Sequence, residues 1–581
     1  MFPATMNGRT LVHGDAQGEV LFAEVGLSFW GGVDAGTGRI IDGHHPLCGA
    51  GLAGKVLAIP SGRGSCSGSG VLLELILNGH APAALVFGTQ EDILPLAIII
   101  AEEVFGLSLP AVGLSADDFR RLGSVTRVRV NGPAVMAIDP ARDTAPAALA
   151  DEAASQAGVA LDEIDKTMLA GECGAAAQLA MRIVLRMAGL LRAQRLIDVS
   201  QAHIDGCIYT GPGGLRFAER LVELGARVRI PTTLNAVSVD RRRWRALGVD
   251  AAIGEPASRL GDAYLKMGAA PSFTCAPYLL DTAPAFGAQI VWAESNAVVY
   301  ANSVLGARTL KYPDFLDICI ALTGRAPLAG CHLDAGRVAS VVIELPPIEN
   351  ADESLYPLLG YHVGGLAPSE IPLIVGLERA ALTVDDLKAF GAAFATTSAA
   401  PMFHVAGVTP EAPPDAGLRN ASRRITVTKA DLLASWDELN SANDNRVGLV
   451  AIGSPHASLA ELARLAALCG GRKKHHDTAL VVTCGRAVYQ QASEAGYVGA
   501  LEAFGAQLLT DTCWCMLGEP IVPRDARTVM TNSGKYAHYA PALVGRPARF
   551  GSLSDCVDAA CDGHVAGSVP GWLGGRPAAV G

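Results

Sequence analysis

The sequence predicts a mixed α/β protein in which a β-rich N-terminal region precedes a larger body of alternating strands and helices. Three observations carry this. Short alternating runs at 18–25 and 125–130 read as strands. Between them, apolar residues 56–59, a Gly/Ser loop at 60–70, a helical pattern at 71–78 and an apolar run at 85–87 form a βαβ signature. From Leu161 onward, strand-like runs at 196–200, 226–230 and 251–254 alternate with helical segments, the first a long amphipathic helix over 168–191.

These elements divide the chain. A chain of 581 residues exceeds one ordinary core, so two to four domains are expected. Residues 1–138 form the small β-rich unit. Residues 139–160, rich in Ala, Pro and Asp, read as a linker. An α/β region follows over 161–407. A second boundary at 408–419 carries Pro410, Pro413 and Pro414, and a further α/β region with a C-terminal tail occupies 420–581. There, 449–452 and 480–482 read as strands.

Composition narrows the function classes. A net charge of −11, with no long Lys/Arg run, disfavours non-specific nucleic-acid binding. No apolar stretch reaches membrane-spanning length, and the N-terminus lacks the pattern of a secretory signal. Thirteen cysteines then point to reduced thiols in a cytoplasmic compartment, some of them candidate metal ligands.

The loop PSGRGSCSGSG at 60–70 concentrates useful chemistry. Glycines admit close backbone approach, a helix start offers free N–H groups to an anion, and Arg63 can hold a carboxylate. Ser65, Cys66, Ser67 and Ser69 crowd the same turn, and one of them can handle a proton. A dinucleotide fingerprint fits poorly, because Ser67 stands where a glycine is wanted and Glu91 lies beyond the ~20-residue spacing of a ribose carboxylate.

With its G-x-G-S pattern after a strand and opening a helix, this loop resembles the swivelling domain of the aconitase superfamily. The longer string PSGRGSCSGSGVLLELILNGHAPAALVF, with LSFWGGVDAGTGRIIDGHHP before it, is similar to the small N-terminal domain of aconitase X. The resemblance implies that Ser65 is the catalytic base, with Ser67 and Ser69 as alternatives. It implies that Ser61, Gly62, Arg63, Gly64, Ser67 and Ser69 face substrate.

Five further strings, in the order of the large aconitase X unit, cluster polar residues where ligands bind in α/β sheets, just after strands. LAGECGAAAQLAMRI carries Glu172, and DVSQAHIDGCIYTGPGG carries His203 and Asp205. RIPTTLNAVSVD carries Thr232, Thr233 and Asn235. WAESNAVVYANSVLGARTLKYPDF carries Glu294, Ser295 and Asn296, and TNSGKYAHYAP carries Lys535. The fold implied is a swivelling domain fused to a large multi-domain aconitase-like unit. The order of the parts, the string DTCWC and Ser454 are similar to the single-chain type.

That type implies a hydro-lyase converting cis-3-hydroxy-L-proline to Δ1-pyrroline-2-carboxylate at an iron–sulfur site between the small and large units. The hydroxyl and carboxylate share a ring face, so the C2 hydrogen lies anti to the leaving group. Ser65 would take that proton, with His203 or Lys535 assisting departure of hydroxide. Small-molecule substrate is the only partner implied, without nucleic acid, membrane or a separate small subunit. Mevalonate 5-phosphate is the alternative substrate, disfavoured because residues 27–43 carry only Arg39. A cluster-bearing regulatory or RNA-binding protein is the alternative of another class.

The resemblance also implies three Cys ligands for an iron–sulfur cluster of [2Fe–2S] type. The chain has no CxxC, so the ordinary aconitase ligands do not transfer. By context the candidates are Cys275, Cys319 and Cys513. In an extended stretch Cys513 and Cys515 share a face, whereas a helix or tight turn separates them; with both readings open, only one of the pair is taken as a ligand. The run Lys473-Lys474-His475-His476 reads as a solvated loop.

Overall fold

The computed structural model describes residues 5–63, 65–138, 158–412, 423–565 and 569–574. Residues 139–157 of the proposed 139–160 linker, Gly64 and most of the 408–419 boundary therefore lie outside the described residues. The chain separates into two compact units. The first comprises Met1–Thr232, Lys266–Gly268 and Tyr312–Ala329. The second comprises Thr233–Leu265, Ala269–Lys311 and Gly330–Gly581. Mixed α/β architecture is observed in both.

In the first unit an eight-stranded mixed sheet is built from β1 (Thr5–Asn7), β2 (Arg9–Val12), β3 (Asp15–Phe22), β4 (Lys55–Ile59), β5 (Ala84–Phe87), β6 (Ala111–Gly113), β7 (Arg127–Asn131) and β8 (Ala134–Ala137). Its order is β1-β8-β7-β3-β4-β5-β6-β2. The central strands β3, β4, β5 and β6 pair in parallel. Strands β4 and β5 are almost wholly apolar and buried, as two covered faces require. The helix α1 (Gly68–Leu77) crosses from β4 toward β5, which is the βαβ unit read from the sequence.

After the linker come α4 (Glu163–Leu169) and α5 (Ala175–Leu190), so the single helix expected over 168–191 is broken. Gly171 and Gly174, at φ +87° and +97°, supply the break, a backbone conformation open to glycine. Strand β9 (Leu196–Asp198) pairs antiparallel with Arg325–Pro327. Arg325, almost fully buried, ties this layer together through Asp165 Oδ1 at 2.8 Å, Asp198 Oδ1 at 2.7 Å and Asp162 Oδ2 at 2.6 Å.

Two other expectations are corrected. Residues 226–230 form no strand, because their amides go to separate places: Val228 N–H donates to the Met267 carbonyl at 2.9 Å and Arg229 N–H to that of Ala321 at 2.8 Å. Residues 251–254 open the helix Ala251–Lys266, started by the Asp250 carboxylate, which accepts from Ala252 N–H at 2.9 Å. A four-residue apolar run does not by itself separate strand from helix.

The second unit holds two wholly parallel sheets. One runs His404–Val405, Pro372–Val375, Val341–Glu344, Arg424–Thr426. The other runs Ala506–Leu509, Ala479–Cys484, Leu449–Ala457, Val529–Thr531, Ala548–Phe550. The strands expected at 449–452 and 480–482 are its two innermost neighbours. Among the described residues no helix is long and apolar enough to cross a membrane.

Candidate functional site

In the first unit the serine loop ends on α1, whose N-cap is Ser67. The three candidate serines have different partners. Ser69 is buried, and its hydroxyl reaches the carbonyls of Cys66 and Asp314, both at 3.3 Å. The buried Ser67 hydroxyl donates to Asp205 Oδ2 at 3.4 Å, while its amide donates to the Ser65 hydroxyl oxygen at 3.2 Å. Ser65 is half-buried. An N–H at the positive end of a helix favours negative charge on the oxygen it reaches, and the first turn of α1 carries no acidic residue to oppose this.

Beneath the loop lies an acidic layer. Asp205, Asp314 and Asp317 are all buried. Asp317 accepts from the backbone N–H of Asp205 at 2.7 Å, Gly206 at 3.1 Å and Ile318 at 2.6 Å. Burial nevertheless raises its pKa to about 6. Asp314 is likewise raised, by burial and then by its neighbours Asp205 and Asp317, which favours its protonated form. The Gly62 amide and the Arg63 guanidinium, expected to face a substrate carboxylate, instead meet acids of the chain: Glu91 for Gly62, and Asp42 at 2.9 Å for Arg63. Ser61 contributes its carbonyl to Leu27 N–H at 3.3 Å.

Other expected residues scatter in role. His203 is fully buried on the strand Ala202–Ile204, two residues before Asp205. The Thr232 hydroxyl donates to the Ile230 carbonyl at 2.8 Å, and Asn235 Oδ1 accepts from Ala236 N–H at 2.7 Å. Thr233 is half-buried beside them. Glu172 is exposed on the turn before α5 rather than at its start, and joins none of these groups. Cys319 is buried in the helix Leu316–Thr323 of the first unit, its thiol pushed up by burial and by Asp317.

In the second unit three thiols gather. Cys275, Cys513 and Cys515 are all buried, and Cys513 feels both of the other thiols as electrostatic neighbours. A turn does occur here, since Trp514–Met516 is a 3-10 helix after an extended Cys513. It does not part the thiols, contrary to expectation. Trp514 is wholly buried with its indole N–H on the Ile452 carbonyl at 2.8 Å, which draws both flanking cysteines to one side.

Lys535 stands beside them with Nζ 2.9 Å from Glu294 Oε1. Burial works against the ammonium, but Glu294 and then the thiols Cys515, Cys513 and Cys275 raise its pKa well above the usual range. Lys535 also sits in the first turn of the helix Gly534–Val544, where the helix dipole disfavours a cation, so these acidic neighbours hold its charge. Glu294 caps the helix Ser295–Tyr300, accepting from Asn296 N–H at 2.6 Å and Ala297 N–H at 3.0 Å. Asn296 accepts from the Tyr278 hydroxyl at 2.8 Å and donates to the Cys275 carbonyl at 3.1 Å. Ser295 is buried alongside.

Sheet topology explains this convergence. His456, Cys513 with Cys515, and Lys535 follow or end the strands Leu449–Ala457, Ala506–Leu509 and Val529–Thr531 of one parallel sheet. The carboxyl ends of parallel strands are where α/β sheets place ligands. Glu294, named in its polar string, belongs to the second cluster, as does Cys515, while Asp314 and Asp317 of the first were not singled out from the sequence. His475, His476 and Asp477 also bring donor atoms within 4.8 Å of one another, on a largely exposed loop. Local contacts account for it: Asp477 N–H donates to His475 Nδ1 at 3.3 Å, and His476 Nε2 lies 3.2 Å from Asp477 Oδ2.

Three buried thiols beside a held ammonium suit a thiolate-bound metal centre, because the cation offsets the charge that deprotonation creates. Cys275 and Cys513 among the expected ligands meet that description, and Cys515 joins them.

Comparison with known proteins places these clusters in context. Family models match in four segments: "Aconitase X swivel domain" over 5–138, "Aconitase X first domain" over 158–335, "Aconitase X second domain" over 339–437 and "Aconitase X third domain" over 447–562. The chain is 58% identical over 571 residues to cis-3-hydroxy-L-proline dehydratase of Pseudomonas aeruginosa, covering 97% of this chain and 98% of that one. It is 54% identical over 578 residues to the enzyme of that name from Hypocrea jecorina, covering 97% of each. To the phosphomevalonate dehydratase large subunit of Methanothermobacter thermautotrophicus it is 35% identical, over 68% of this chain and 96% of that one. The crystal structure of Thermococcus kodakaraensis aconitase X in its holo-form superposes with TM-score 0.62 at 32% identity, over 69% of this chain and 100% of that one.

Proposed function

The chain belongs to the aconitase X family, and from that premise we propose that it is a hydro-lyase that dehydrates cis-3-hydroxy-L-proline to Δ1-pyrroline-2-carboxylate. The carrying observation is near-complete alignment at 58% and 54% identity with two dehydratases of that substrate, swivel domain included, against 35% over part of the chain for the phosphomevalonate enzyme.

The two clusters divide the work. Ser65 takes the C2 proton. Its oxygen is supported by the Ser67 amide at the positive end of α1, which makes an alkoxide less costly than at an ordinary serine. Ser67 is anchored in turn by its hydroxyl on Asp205. Burial of Asp314 beside Asp205 and Asp317 favours its protonated form, which lessens the negative charge beneath the loop.

In the second unit Cys275, Cys513 and Cys515 hold an iron–sulfur cluster of [2Fe–2S] type, a reading supported by the gathered thiols and by the holo-form of the solved relative. When bound, its iron supplies a Lewis acid for the departing 3-hydroxyl. Lys535 keeps its proton, so its task is positive potential and a hydrogen bond to developing hydroxide rather than full proton transfer. His203 and Cys319 belong to the buried frame under this reading.

The test is a side-by-side assay of anaerobically prepared protein on cis-3-hydroxy-L-proline and mevalonate 5-phosphate, following product by NMR. Dehydration of the imino acid alone is expected. Turnover confined to the phosphate ester would overturn the substrate assignment.

A further inference from the structure

His456 plays no part in the chemistry above, yet its bonds single it out. It is fully buried near the end of the strand Leu449–Ala457. Its Nε2 lies 2.7 Å from the Thr512 carbonyl. A carbonyl only accepts, so Nε2 carries the proton. Nδ1 is then the acceptor, and the Thr274 hydroxyl lies 3.1 Å from it. That hydroxyl has its own incoming bond, from Ala276 N–H at 3.1 Å, so its proton is directed at the ring. The backbone N–H of His456 donates to Cys275 Sγ at 3.3 Å.

The sequence positions give these bonds a meaning. Thr274 immediately precedes Cys275, and Thr512 immediately precedes Cys513. One imidazole therefore grips the residue before each of two thiols, from segments more than two hundred positions apart, and its amide touches one thiol directly. The space is filled: a side chain at Gly485 would come within 3.1 Å of Thr274 Oγ1.

We propose that His456 is a positioning residue for the thiol centre: its ring fixes the Cys275 and Cys513 segments in one register, and its N–H steadies sulfur charge on Cys275. The inference rests on the thiol centre proposed above. It is a neutral, single-tautomer clamp, so its two ring bonds are separable by substitution. His456→Gln keeps a donor for the Thr512 carbonyl and releases Thr274. His456→Asn keeps an acceptor for Thr274 and releases Thr512. His456→Leu releases both.

The readout is Cd2+ binding to metal-free full-length protein, followed by the sulfur-to-cadmium charge-transfer band, which is independent of turnover. Wild type is expected to bind and to lose the band in Cys275→Ser and Cys513→Ser. If wild type shows no band, or those variants keep it, the thiol centre itself fails. Given a thiol-dependent wild-type band, His456→Gln and His456→Asn are each expected to weaken Cd2+ about tenfold, and His456→Leu about a hundredfold, the range seen when partners of metal ligands are removed. Arg325→Met, in the first unit, destabilises without touching the centre and is expected to leave the affinity unchanged. Binding by His456→Gln and His456→Asn within twofold of wild type would overturn the proposal. So would a matching loss in Arg325→Met, since that would mark a general effect of stability.

Discussion

The serine loop of the first unit and the thiol centre of the second are both buried polar clusters, yet burial has opposite outcomes in them. In the first, Asp205, Asp314 and Asp317 crowd one another, and the pKa of Asp314 is pushed up by burial and by those neighbours. In the second, Lys535 has Glu294 and three thiols around it and keeps its charge. Desolvation acts the same way in both; the sign of the neighbours decides. A buried group in this protein is thus not simply charged or neutral by type.

This contrast is open to direct attack. The largest change in stability is expected from Glu294→Gln. It leaves the Lys535 ammonium buried without its partner, so metal-free protein should lose about 3–5 kcal/mol in denaturant unfolding. A loss below about 1 kcal/mol would mean that Lys535 is not held charged by Glu294.

Ser67→Ala should slow turnover about tenfold, the scale of one hydrogen bond to a charged group, with little change in KM. The Ser67 amide survives in that variant, so only the anchor on Asp205 is lost. A thousandfold loss would move the base from Ser65 to Ser67.

His332 supplies a pH test away from both clusters. Burial, then Arg337 and Arg308, pull its pKa down to about 3. The unfolded chain takes up this proton below about pH 6.5 and the folded chain does not, so stability falls with falling pH between about 6.5 and 3. The slope from this group is at most about 1.4 kcal/mol per pH unit. His332 Nδ1 lies 2.5 Å from Gln289 Oε1, a bond that Asn can replace. His332→Asn should therefore flatten the acid limb of unfolding relative to wild type. An unchanged limb would contradict a neutral His332.

The smallest effect is expected from Asp314→Asn. Burial and two neighbouring carboxylates favour the protonated form of this carboxyl, which an amide matches in shape and charge, so stability should change by less than about 1 kcal/mol at neutral pH. A loss as large as that of Glu294→Gln would erase the contrast between the two clusters.

How much of this could be read in the sequence depended on distance along the chain. The strand, loop and helix around 56–77 were legible because apolar periodicity and glycine punctuation are local signals. So was the strand at 449–452, whereas Ala506–Leu509 and Val529–Thr531, which also lead to the thiol centre, were not read. The acidic layer was not, because Asp314 and Asp317 lie at and beyond the end of the polar string 292–315 and reach Asp205 only through the fold. The pairing of Cys515 with Cys513 was hidden because it depends on how Trp514 is buried. The breaks at Gly171 and Gly174 show the reverse case: the signal was present in TMLAGECG, and the apolar pattern on either side outweighed it.

The central claim is that the loop hydroxyl of Ser65 removes the C2 proton. It is tested most directly by kcat of Ser65→Ala on cis-3-hydroxy-L-proline, in protein shown by circular dichroism and iron analysis to match wild type. A loss of about 10³-fold or more with unchanged iron content is expected. Turnover within tenfold of wild type would show that another group takes the proton.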